Sequence, residues 1–128
     1  MKTTRADLPD GQWADIRTSP THAQYRAIIS AMEDAASGRG SMIEWASTVG
    51  RQMCAGWLVR SDDGDTLDLD DEGWDDAPAD IIDAICTEAQ LAYKAWDAAR
   101  RPLVKSRNKR LTAVPSSNET NDDSSEGT

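Results

Sequence analysis

WLVRSDDGDTLDLDDEGWDDAPADIIDAI, residues 57–85, is the stretch on which the reading of this chain turns. Eleven acidic residues lie between Asp62 and Asp83 with no base among them, yet the run is not featureless. Trp57 and Leu58 close an apolar helical pattern, and Asp63-Gly64 makes a tight turn. Leu67 and Leu69 alternate with acids, which suits a short extended segment with one buried face. Trp74 follows, and Pro78 opens a new helix whose first apolar pair is Ile81-Ile82. Acids kept only for solubility would need neither the leucines nor the tryptophan nor the proline. The segment reads as an ordered connector pinned between two helices.

On its N-terminal side, Ser41 caps a helix and Glu44, three residues on, completes a capping box. Met42, Trp45, Ala46, Val49, Met53 and Trp57 form the apolar face of that helix. A preceding helix starts after Ser19-Pro20-Thr21, whose hydroxyls can cap free N–H groups. Its stripe is Tyr25, Ile28, Ile29, Met32 and Ala36, and Gly38 and Gly40 end it. Residues 7–17 read as a small hairpin turning at Pro9-Asp10-Gly11, with Leu8, Trp13 and Ile16 as apolar contacts. A lone hairpin is marginal in water, so it must pack on the helices or pair with another strand.

On the C-terminal side, a third helix runs from about Pro78 to Arg100. Ile82, Ile85, Ala89, Ala92, Trp96 and Ala99 lie on one side, widened by Ile81 and Tyr93. Asp80 and Asp83 near its start and Lys94, Arg100 and Arg101 near its end follow the order that the helix dipole favours. Pro102 ends it. The fold class is therefore mainly α: a small N-terminal β-hairpin plus a three-helix domain over residues 1–100, carrying the acidic connector. Residues 101–111 form a basic tether. Residues 112–128 are a disordered acidic tail with almost nothing apolar to offset the entropy of ordering.

Composition agrees with one small helical domain. The 128 residues include five Trp and two Tyr but no Phe, so the core must be built from Ala, Ile, Leu and Met around a few tryptophan anchors. The net charge of −9 argues against nucleic acid and against an anionic membrane, because both need clustered bases. The one basic cluster, Arg100 to Arg110, has no aromatic residue among its bases for nucleobase stacking. Cys54 and Cys86, the only cysteines, sit in helical patterns and read as buried free thiols. The N-terminus carries no secretory signal, and no stretch approaches the ~18 apolar residues of a membrane span. These features predict a soluble protein made in a cytoplasm.

The acids invite a calcium reading, which fails on inspection. With Gly73 at the EF-hand glycine position, Asp68, Asp70 and Glu72 take the first, third and fifth places, but Ala79 stands where a bidentate Glu is needed. His22, the sole histidine, has no Cys or second His at ligand spacing and reads as an exposed first-turn residue. Gly38-Arg39-Gly40 is too short for a phosphate loop and follows a helix instead of a strand. The expectation is no enzyme, no cofactor, no metal and no small-molecule substrate. Of the tryptophans, Trp45 and Trp96 belong to the core. Trp13, Trp57 and Trp74 stand at element ends, where a half-exposed indole can bind a partner.

The order of parts resembles a family. A Trp-ended helix, the Asp63-Gly64 turn, Leu67-x-Leu69, an acidic stretch and the helix led by Pro78 are similar to the tail assembly chaperones of long-tailed (siphovirus-type) bacteriophages. The hairpin around Asp7-Leu8-Pro9-Asp10-Gly11-Gln12-Trp13 is similar to the one with which such proteins often begin. The resemblance covers roughly residues 5–100. It implies a non-catalytic protein of the host cytoplasm, absent from the mature virion. Such a protein coats the tape measure protein, keeps it soluble and helps recruit the tail tube protein; a second copy of the chain is a further candidate partner. Two other readings remain open. One is an acidic regulatory or decoy protein that occupies a basic site on a protein partner. The other is a head–tail connector that stays in the particle.

Overall fold

The hairpin forms and gains a third strand. In the computed structural model, which describes the backbone of residues 1–112 and the side chains of residues 1–100, β1 (Thr3–Asp7) and β2 (Trp13–Arg17) flank a tight 3₁₀ turn at Pro9–Gly11. Asp10 and Gly11 take φ of 60° and 74°, left-handed values that Gly adopts freely and Asp tolerates. The first strand thus begins at Thr3, not at residue 7.

Strand β3 (Cys54–Leu58) pairs antiparallel with β2, giving the order β1-β2-β3. Ala14 lies opposite Ala6 and Trp57, and Ile16 opposite Thr4 and Cys54, so these residues share the inner face. A register shift between Asp15 and Ile16 bends the β2–β3 pairing. The chain is therefore mixed, mostly helical as expected, but its N-terminal sheet has three strands where a two-stranded hairpin was expected. The second helix stops at Met53 and passes into β3 without a loop, so Trp57 sits on a strand. Four-residue spacing from Trp45 to Trp57 mimics a helix; the unmet hydrogen bonds of β2 settle the conformation instead.

Helix α1 (His22–Ala36) starts at a capping box between Thr21 and Gln24, and α2 (Met42–Met53) at one between Ser41 and Glu44. Each hydroxyl accepts from a third-residue N–H while the Gln or Glu side chain accepts from the cap N–H. The connector holds one more helix than the sequence suggests. Six-residue α3 (Asp71–Asp76) is capped by the Asp70 carboxylate, which accepts from Gly73 N at 2.8 Å. Leu67 and Leu69 are partly buried against the core, and Arg60 bridges to Thr66.

Helix α4 (Ala79–Thr112) begins just after Pro78. Its buried stripe is Ile81, Ile85, Cys86, Ala89 and Tyr93, rotated from the expected one: Ile82 is only partly buried and Ala99 is exposed. The helix continues through Pro102, where a stop was expected. The basic stretch at 101–111 is thus helical in backbone, and the acidic tail lies outside the described residues after Thr112. The first of two compact units spans Met1–Trp96, and the second begins at Asp97. In the first unit the core is Leu8, Ala14 and Ile16 from the hairpin, Ile28, Trp45, Val49, Met53, Cys54 and Val59, Trp74 from the connector, and the α4 stripe. In the second, Arg100 pairs with Asp97 at 3.1 Å.

Candidate functional site

The connector is held at a point where three helices meet. Gly50 of α2 leaves room there: a Cβ on it would lie 2.6 Å from Cys86 Sγ and 3.1 Å from Trp74 Cη2. Into that space goes the Trp74 indole, 6% exposed, with Nε1 donating to Ser47 Oγ at 3.3 Å. Trp57 stacks on it, ring centroids 5.7 Å apart and planes 3° from parallel. Trp57 Nε1 donates to the carbonyl of Leu67 at 2.9 Å, so β3 grips the connector at a second place. The Arg51 guanidinium lies 5.5 Å from the centre of the Trp74 ring and pairs with the Asp71 carboxylate. These contacts give the acidic segment a fixed backbone.

The three tryptophans singled out for partner binding have different fates. Trp57 and Trp74 come together, but Trp74 is a core residue and not the half-exposed anchor expected of it. Trp13 lies on the other face of the sheet, partly exposed, with the Arg5 guanidinium 3.7 Å from its ring centre. Arg5 also makes two hydrogen bonds to Asp15, at 2.9 and 3.2 Å, and these hold the Asp15 carboxyl below the usual carboxylate range. Of the expected core pair, Trp45 is buried and Trp96 is partly so, meeting Tyr25 edge-on at 5.6 Å.

Around the apolar frame, all eleven acids from Asp62 to Asp83 are exposed. Asp70 is committed to the α3 cap and Asp80 accepts from Ile81 N at 3.0 Å. Among the described residues no group of three or more His, Cys, Asp or Glu is placed to hold a metal ion. The arrangement displays carboxylates on a fixed surface without converging them on one point. Such a surface raises the local negative potential and favours cationic partners.

Two further features complete the surface. A recess of about 380 Å³ is lined by Asp10, Gln12, Arg60, Asp62 and Asp80, among others. Buried Gln12 ties its walls together, donating to the Pro9 carbonyl at 2.8 Å and accepting from Arg60 N at 2.9 Å. Sequence patterning also missed the accessible apolar residues: Met32 on α1, Met42 and Ile43 at the start of α2, and Leu91 on α4. By spacing Met42 belongs to the inward face of α2, yet it is 65% exposed, and Ile43 is 81% exposed. The signal was there, since an Ile directly after Met42 in a first turn falls off the Trp45–Val49–Met53 stripe.

Cys54 and Cys86 are free and buried, and burial pushes both thiols up to about 11. Thiols that reluctant to ionise are packing groups, not nucleophiles, at neutral pH. No helix among the described residues is long and apolar enough to cross a membrane. Compared with protein-family models, curated proteins and solved structures, the chain matches none.

Proposed function

We propose that this protein is a tail assembly chaperone of a long-tailed bacteriophage, a binding protein that keeps the tape measure protein soluble and helps recruit tail tube subunits. The observation that carries the reading is the coexistence of exposed apolar side chains, Met42 and Ile43 above all, with an ordered acidic surface. A protein that coats a long apolar helix needs both. Apolar contacts cover the client, and like charge keeps the coated complex apart from its neighbours. Methionine suits such work because its flexible thioether adapts to varied surfaces. Because Trp74 is occupied inside the domain, the apolar contact in this proposal passes to Met42 and Ile43, with Trp57 and Trp13 at the margin.

The acidic display also favours a second reading, a decoy that presents carboxylates to a basic site on another protein. The two rank variants in opposite order. In co-purification with a co-expressed tape measure protein, the chaperone reading expects Ile43→Asp or Met42→Asp to abolish recovery. Asp-to-Asn changes at Asp62, Asp63 and Asp65 should each lower it by no more than about fivefold, since exposed charge pairs are worth about 0–1 kcal/mol. Recovery that ignores Ile43 and vanishes at high salt would reject the chaperone mechanism in favour of the decoy.

A further inference from the structure

Among the described residues, no element pairs with the outer edge of β1. The hairpin bonds show which backbone groups face that edge. Leu8 N donates to Gln12 O at 2.9 Å and Thr18 N to Lys2 O at 3.1 Å, so even-numbered residues of this strand direct their groups toward β2. In an antiparallel pair the bonding sense alternates, and the N–H and C=O groups of Thr3, Arg5 and Asp7 therefore point away from β2. Such an edge is a template for another strand unless something blunts it. Here the usual devices are weak. β1 contains no proline, and the register shift lies on the far side of β2.

We propose that β1 pairs antiparallel with β1 of a second copy of this chain, about a two-fold axis through Ala6, to make a continuous six-stranded sheet. The charges choose the register. A two-fold through Arg5 would set Arg5 directly against its own copy, and like charges directly opposite are destabilising. Moving the axis to Ala6 sets Arg5 opposite the second copy's Asp7 twice over, one cation against one anion each time. Those are residues whose backbone groups point outward, so each Arg5–Asp7 pair can exchange both N–H···O bonds. Asp7 is exposed and Ala6 is small, so neither obstructs the approach.

The test uses the full chain and its sedimentation mass across a concentration series. Wild type should move from monomer toward dimer as concentration rises. Asp7→Lys sets Lys against Arg5, and Arg5→Glu sets Glu against Asp7, so each variant alone should weaken association at least about tenfold. An equimolar mixture of the two restores both opposite-charge pairs and should dimerise like wild type, which also shows that both variants are folded. Wild type that stays monomeric throughout, or variants that dimerise separately as well as together, would overturn the proposal.

Discussion

Gly73 sits in a helix, where alanine would ordinarily be better by about 1 kcal/mol. The contact at this position reverses that preference. A Cβ on Gly73 would lie 1.8 Å from the carbonyl oxygen of Asp68, a backbone atom that cannot swing aside. Gly73→Ala is therefore expected to destabilise the protein by about 1–3 kcal/mol, measured by denaturant unfolding. The two thiols give a second test at this scale. Their ordinary value is 9.0 and burial raises each to about 11. Between those values the unfolded chain gives up protons that the folded chain keeps, so stability should fall as pH rises from 9 toward 11. Below pH 9 the contribution is fully present. Replacing both cysteines with alanine should flatten that alkaline decline, and neither native thiol should be alkylated readily at pH 7.

Packing between elements converges on Gly50, where α2, α3 and α4 meet. Gly50→Ala should cost about 1–3 kcal/mol by pressing on Cys86 and Trp74. Removing the sulfur with Cys86→Ala should relieve part of that, so the double variant should lose less than the sum of the two singles. Ser41→Ala, which deletes a capping box, should cost about 1 kcal/mol. Elements whose signals are local were legible from the chain. Ser41 with Glu44, Thr21 before α1 and Pro9-Asp10-Gly11 mark their structures through bonds a few residues apart. β3 was not legible, because Met53 and Trp57 continue a helical spacing and only pairing with a distant strand overrides it. The short helix α3 was not legible either, since ruling out a calcium loop at Ala79 gives no sign that Asp70 caps a helix. Trp74 looked like an element-end anchor because nothing in its neighbourhood reveals the space that Gly50 leaves twenty-four residues earlier.

For the molecule as a whole, the acidic surface is the dominant property, and it is built on order. Calcium at Asp68, Asp70 and Glu72 would compete with the Asp70 bond to Gly73 N that starts α3, and the carboxylates of the connector do not converge on one point. Millimolar calcium is therefore expected to leave the thermal midpoint where it is, with any change no larger than that from magnesium at equal ionic strength. Salt should act in the other direction from its effect on a protein held by ion pairs. The described residues contain only four salt bridges, and three of them have an arginine or its partner more than half exposed. With a net charge of −9, self-repulsion outweighs such pairs, so raising salt toward ~0.15 M should raise the midpoint.

The parallel stack of Trp57 on Trp74 also turns the connector into its own optical gauge. Two indoles held at this separation share an electronic environment that neither has alone, so their ultraviolet emission reports whether the connector is seated. In a chain whose Trp13, Trp45 and Trp96 are changed to Phe, the remaining tryptophan light comes from that pair only. A client that pries the acidic segment away would shift the colour and intensity of that light, while one that binds at Ile43 would leave it as it was.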